Sequence, residues 1–395
     1  MLIEILMAML VGLLVGTLTG LIPGIHINLV GVFLLSLSTS LFLSVNPIHM
    51  GVFIVSVAIT HTFVDFIPSV FLGCPDTDTE LSVLPGHQLL KSGQGQEAIA
   101  LTAYGSLAAV FILIMIAFPT IFIISKTYNL VLMAMPFLLI SASILLISLE
   151  KKKSVALFVF LFTGFLGWSV LGLDQLKEPL LPLLSGLFGA SMLIMSIKTK
   201  TIIPKQKITK TKIKSLKPLL GALIASPLCS FLPGLGSGQA AILGNSISKT
   251  DRKGFLFLLG ATNTLVMGFS FISLYAISRT RTGAAVVLQK ILGTFSWKIL
   301  LLILIVFFVV GIFSFFLTLA LAKTFSTKMN KINYSLASFI TLIVLTAIVF
   351  LVSGIFGVAV LIVAMLTGIY CVSLGVRRTN MMGCLLVPTI IFYLL

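Results

Sequence analysis

Of 395 residues, 58% are hydrophobic and only 9% charged, and the mean hydropathy is +1.21; so few charges could not cover a soluble fold, which excludes a water-soluble globular domain. The net charge of +16 sits in short segments between apolar runs, the pattern of membrane topology, so no nucleic-acid surface is expected. Cys74, Cys229, Cys371 and Cys384 are scattered without paired spacing, so neither a disulfide framework nor a zinc site is indicated.

The opening MLIEILMAML lacks a basic n-region and a small-residue cleavage site, so a retained helix from Leu2 is expected rather than a removable signal peptide. That helix should stop at Gly20-Leu21-Ile22-Pro23-Gly24-Ile25-His26-Ile27-Asn28, because Pro23 has no N–H to give and Gly24 permits backbone angles that other residues avoid. A short run, 29–45, completes a hairpin. Stretches long enough to span a bilayer follow at 49–72, 98–124, 130–149, 155–173 and 180–197. Residues 198–217 are Lys-rich, free of acid and contain Pro204, which reads as a solvated cytoplasmic linker dividing an N-terminal membrane unit, 1–197, from a C-terminal one, 218–395. The second unit opens with 219–232 and 235–248 around Phe231-Leu232-Pro233-Gly234-Leu235, a copy of the first Pro-Gly break. Spans at 255–277, 297–322, 336–352, 356–374 and 381–395 follow, and 282–293 is too short to cross.

With the linker in the cytoplasm, about 20 of the 26 basic residues fall on that side, as the positive-inside rule asks. An odd number of crossings per unit puts the two Pro-Gly hairpins on opposite faces. The expected fold is therefore an all-α polytopic membrane protein of two inverted-topology repeats, each with a Pro-Gly broken-helix hairpin and about five spanning helices. A Pro-Gly inside an apolar run is also a common simple kink; two copies at matching positions favour a transport site.

A broken helix exposes N–H groups at the start of its second half, and these favour an anion. Gly234, Gly236, Ser237, Gly238 and Gln239 begin such a half-helix, with glycines allowing close approach. Arg279 and Arg281 would add a bidentate clamp for carboxylate or phosphate, and Asn263 is either a ligand or a hydrogen bond between helices. The first unit supplies oxygen-rich groups suited to Na⁺ or to a proton-carrying carboxylate: Pro23, Gly24, His26 and Asn28 as lining, and Asp65, Asp76, Thr77 and Asp78. Asp65 stands inside an apolar run and is read as a coupling carboxylate or as a structural partner of a nearby base. Asp76, Asp78 and Glu80 fit either a site or a solvated loop. His49 and His87 read as helix-end and loop contacts, and no His spacing suggests a metal. No nucleophile–base arrangement, Walker loop or dinucleotide fingerprint is present, so no enzyme is expected and no cofactor beyond Na⁺ as a coupling ion.

Several motifs occur in a fixed order: Ile67-Pro68-Ser69, Gly73-Cys74-Pro75-Asp76-Thr77-Asp78, Leu84-Pro85-Gly86-His87-Gln88, Lys91-Ser92-Gly93, Tyr104-Gly105-Ser106, Pro233 to Gly238, and Gly260-Ala261-Thr262-Asn263. In that order they resemble the TctA family, the large permease subunit of tripartite tricarboxylate transporters, in its archaeal-type branch. The chain departs from the family pattern where Pro75-Asp76-Thr77-Asp78 brings two carboxylates to a Pro-Gly-Thr-Pro turn and where Arg279-Thr280-Arg281-Thr282 replaces an apolar turn. The resemblance implies a multi-pass permease of the cytoplasmic membrane carrying a small organic anion, a di- or tricarboxylate, driven by Na⁺ or H⁺ with alternating access. It also implies a small membrane subunit and an extracytoplasmic binding protein as partners, beside the lipid bilayer. The arginines motivate an alternative cargo on the same architecture, a lipid-linked phosphate such as polyprenyl phosphate, moved by a translocase.

Overall fold

The computed structural model describes residues 2–22, 46–73, 79–148, 150–198, 203–208, 211, 216–230, 236–280, 282–293, 295–329 and 334–394. Among them every regular element is helical, and eight helices are long and apolar enough to cross a membrane. The two Pro-Gly hairpin tips, 23–45 and 231–235, lie outside the described residues.

Helix α1, Leu2–Leu21, is apolar apart from Glu4, Thr17 and Thr19 and carries Gly12, Gly16 and Gly20 on one face. A Cβ on these glycines would meet Ser56, the Val57 carbonyl and Val64 at 2.5, 2.6 and 2.9 Å, so α1 runs parallel to α2, Pro47–Val64, at backbone contact. Small residues at every fourth position are what lets two membrane helices approach so closely. Asn46 starts α2 by accepting the Ile48 N–H, with Pro47 in the first turn. After Asp65 the chain continues as α3, Phe66–Phe71; Pro68 has no N–H for the Val64 carbonyl, which separates the two helices.

A short helix α4, Val83–Lys91, leads through a turn at Gly93 (φ 77°) into α5, Gly95–Ser148. Straight, its 54 residues would measure about 80 Å, too long for one crossing. Glu97 near its start bonds Lys253, and Leu145 and Leu146 near its end line a cavity with Asp251 and Arg252, so α5 doubles back on itself. Its rising limb reaches Ser125 and Tyr128, which touch Ala276 and Arg279. Helices α6, Lys153–Leu171, and α7, Leu180–Lys198, complete the first unit, the latter with a π-type turn over Ser185–Ala190.

The Lys-rich segment is not wholly solvated, which corrects the expectation of a free linker. Gln206 is 7% exposed, accepts the Gly95 N–H at 2.9 Å and donates to the Leu90 carbonyl at 3.0 Å, while the Lys207 N–H reaches the Gly93 carbonyl at 2.8 Å. The turn before α5 leaves its first N–H without an intrahelical acceptor, and the segment supplies one.

The second unit comprises α8, Lys217–Ser230; α9, Ser237–Ser248; α10, Arg252–Ile277; α11, Gly283–Leu292; α12, Trp297–Met329; α13, Tyr334–Ser373; and α14, Gly383–Leu394, which follows a 3-10 turn at Arg378–Met382. Gly354 (φ 67°, ψ −164°) breaks α13 between the two spans expected there. The units are interleaved, not separate: the rising limb of α5 lies along α10, with Gly105 against the Phe257 carbonyl, Gly260 against the Thr102 carbonyl, and Ser106 Oγ donating to the Gly260 carbonyl at 3.0 Å. Lys91, Glu97, Gln206, Lys253 and Glu150 gather at one end of the bundle, and Tyr128, Arg279 and α11 at the other.

Candidate functional site

Asp65, between α2 and α3, is 3% exposed, and Asn263, in the middle of α10, is 4% exposed; Asn263 Nδ2 donates to Asp65 Oδ2 at 2.9 Å. A carboxylate at that depth is costly unless hydrogen-bonded, and this bond comes from the opposite unit. The two helices run in opposite senses. Gly51 at the start of α2 packs on Leu288 and Leu292 of α11, which joins the far end of α10 through Gln289 and the Ser278 carbonyl.

Polar groups surround the pair inside an otherwise apolar core. Thr19 Oγ1 and His61 Nδ1 are 3.1 Å apart, Ser314 Oγ donates to Thr60 Oγ1 at 3.0 Å, and Ser69 Oγ and Thr79 Oγ1 are 2.6 Å apart. Gly20, in the last turn of α1, packs against Val64 and the Asp65 backbone, so the end of α1 lies beside this residue.

In the second unit α8 and α9 are antiparallel, with Gly221 opposite Gly244, while α8 runs parallel to α10, with Pro218 near Gly254 and the Ser270 hydroxyl on the Ser230 carbonyl at 3.1 Å. By these registers Ser226 stands level with Gln239 on α9 and with residues 262–266 of α10. Ser237, Gly238 and Gln239 form the first turn of α9 and are buried. The Gln239 side-chain oxygen accepts the Gly236 N–H at 2.7 Å. Its Nε2, Ser226 Oγ and Thr264 Oγ1 are buried without a hydrogen-bond partner among the described residues. Buried polar groups of this kind beside the N–H groups of a helix start are chemically suited to an anion.

The expected residues therefore divide. Asp65 and Asn263, assigned separately to coupling and to substrate, are brought into contact; Gly236, Ser237, Gly238 and Gln239 lie at the buried start of α9. Arg279 is elsewhere: it is exposed, about 24 Å along α10 from Asn263, with its guanidinium on Tyr128, donating to the phenol oxygen at 2.8 Å and 5.4 Å from the ring centre. Pro23, Gly24, His26, Asn28, Asp76, Thr77, Asp78, Gly234 and Arg281 lie outside the described residues. Thr19, His61, Ser226, Thr264 and Ser314 were not singled out as site residues; small polar residues clustered inside apolar spans were their signal. Among the described residues no group of three or more His, Cys, Asp or Glu could hold a metal.

Among the cavities lined by described residues, two open on the bundle. One, of about 410 Å³, is lined by Phe118, Phe122, Lys126, Tyr275, Trp297 and Leu304 at the Arg279 end. The other, of about 840 Å³, lies at the Lys253 end between Leu145, Ile242, Asn245, Phe255 and Arg378.

A family model described as "Tripartite tricarboxylate transporter TctA family" matches residues 6–383. An uncharacterized protein of Methanocaldococcus jannaschii is 31% identical over 353 residues, which cover 87% of this chain and 88% of that protein. No solved structure matches the chain.

Proposed function

The chain belongs to the TctA family and is a membrane transport permease, not an enzyme; on that premise we propose that it is a secondary active carrier of a small organic anion, a di- or tricarboxylate. A Na⁺ or H⁺ gradient drives it, with alternating access between two inverted-topology repeats. It works with a small membrane subunit and an extracytoplasmic binding protein.

The observation that carries this reading is the Asp65–Asn263 hydrogen bond, joining oppositely directed helices of the two halves beside the end of α1 and near the buried start of α9. Support for the repeat comes from order and direction. Each half begins with a helix parallel to a later one, α1 with α2 and α8 with α10, separated by a Pro-Gly segment. A short helix follows in each, α4 or α11, and then a long one. A carrier needs two states of nearly equal energy, and an interface between repeats that rests on few polar bonds in a small-residue contact can be remade in a second arrangement.

In this carrier Gln239, Ser226 and the first N–H groups of α9 hold substrate carboxylates, and Asp65 binds the coupling ion. The experiment is uptake of citrate and succinate into liposomes, with and without a Na⁺ or a proton gradient, for the wild type, Asp65→Asn and Gln239→Leu. Asp65→Asn is expected to retain citrate binding but lose gradient-driven accumulation, and Gln239→Leu to raise the citrate KM. Wild-type uptake indifferent to both gradients, or unaltered kinetics in both variants, overturns the assignment.

A further inference from the structure

The larger cavity is unlike the midplane site. Its lining brings together Lys249, Arg252, Arg377 and Arg378 with a single carboxylate, Asp251, whose Oδ1 is committed to the Gly254 N–H at 2.8 Å. Arg377 Nε lies 3.5 Å from Glu150 Oε1, and its side chain remains 64% exposed. Arg378 is half-buried, and among the described residues its guanidinium meets only the Phe188 carbonyl at 3.4 Å and the sulfurs of Met192 and Met195 at 3.0 and 4.0 Å. These are weak acceptors for a guanidinium, which binds oxyanions far more strongly. The rest of the lining is mixed: Leu81, Pro85, Leu145, Leu146, Ile242 and Phe255 give it an apolar face, and Gln88, Asn245, Ser246, Thr250 and Thr379 add uncharged polar groups. Phe255 and Arg252 stand roughly 12–17 Å along α10 from Asn263, toward the Lys-rich end.

A cluster of cations at the end of the bundle beside an apolar face formed by residues of α5, α9 and α10 fits an amphiphile, not a compact hydrophilic ion. A di- or tricarboxylate would leave that wall wet; a headgroup with an attached chain covers both surfaces. We propose that this cavity binds the phosphate headgroup of an anionic membrane lipid on Arg377 and Arg378, with Lys249 and Arg252 at its rim and one acyl chain along Leu145, Leu146, Ile242 and Phe255. The lipid bridges the return limb of α5, the α9–α10 corner and the turn before α14, elements of both halves. It therefore holds this end of the bundle together independently of the transported anion.

The test uses the full-length protein stripped of lipid in a neutral detergent. Thermal unfolding and native mass spectrometry are read after adding dioleoyl phosphatidylglycerol, dioleoyl phosphatidylcholine, glycerol phosphate or citrate. Phosphatidylglycerol is expected to raise Tm and to remain bound, while phosphatidylcholine, glycerol phosphate and citrate at equal concentration leave Tm unchanged. Arg378→Gln should weaken phosphatidylglycerol binding by about tenfold. Should that variant misfold, the exposed pair Lys249→Gln and Arg252→Gln provides the second reading, with a several-fold loss expected. Equal stabilisation by phosphatidylcholine removes the headgroup assignment. Equal stabilisation by glycerol phosphate removes the chain wall. A response to citrate that disappears in the Lys249→Gln, Arg252→Gln protein makes the cavity part of the transport path and overturns the lipid site, whereas loss of citrate transport in Asp65→Asn alone leaves it standing.

Discussion

At the scale of single residues, the bond between Asp65 and Asn263 decides more than any other because one partner is a carboxylate 3% exposed in an apolar core. Asn263→Leu fills the space and withdraws a donor from that carboxylate, so it should cost about 1.5–3 kcal/mol, read as a fall in Tm. Asp65→Asn removes the charge and keeps the shape, so its Tm should fall less; a larger fall than in Asn263→Leu would show that the carboxylate serves the fold and not the ion. His87, in the short helix α4 near the Lys-rich end, is 3% exposed. Burial first, and then the charge of Lys91, pushes its pKa down to about 4. The stability that neutral His87 contributes is complete above its ordinary value near 6.5. It is lost as pH falls from there toward about 4, by up to about 3 kcal/mol. Melting curves between pH 7 and pH 4.5 should show this loss in the wild type and a shallower one in His87→Gln; identical slopes would exclude His87 as its source.

Between elements, close approach is set by glycine. A Cβ at Gly260 would strike the Thr102 carbonyl, which cannot yield without moving α5, whereas one at Gly172 finds its nearest atom at an ordinary 3.4 Å. Gly260→Ala should therefore destabilise by about 1–3 kcal/mol and Gly172→Ala hardly at all, a contrast that melting curves of the two proteins will test. The helices themselves were legible because apolar run length and Pro-Gly punctuation are local signals. Gly354 lies in the gap read between residues 352 and 356. Pairing between distant elements leaves no local trace. Asp65 and Asn263 are 198 positions apart, and each was legible only as a polar residue in an apolar helix, not as the other's partner. Arg279 was read as a clamp from its neighbours in sequence, but the length of α10 carries it away from Asn263 to Tyr128. Gln206 was hidden by composition: one buried amide in a run of lysines reads as linker until the turn at Gly93 brings the Gly95 N–H to it.

For the whole molecule, the distribution of charge and the packing make one testable statement about sidedness. Of the basic segments assigned to the cytoplasm from sequence, at Lys91, Lys151 to Lys153, the Lys-rich segment, Lys249 to Lys253, Lys323 to Lys331 and Arg377-Arg378, described residues of several meet at one end of the bundle through Gln206, the Glu97–Lys253 pair at 2.6 Å and the Glu150–Arg377 contact. Packing alone does not say which face of the membrane that end occupies; the excess of Lys and Arg does, because basic loops are retained inside. Cys229, Cys371 and Cys384 are buried and should give little background labelling, and Cys74 can be replaced by Ser beforehand. In that background Lys207→Cys should react with a membrane-impermeant maleimide only in inside-out vesicles, and Ser278→Cys, beside Arg279, only in right-side-out ones. Labelling of both from one face would contradict the shared end, since α10 runs its full length between them. Both reacting from the faces opposite to those stated would leave the bundle intact and reverse its orientation. The Lys249–Arg378 cavity would then lie in the outer leaflet.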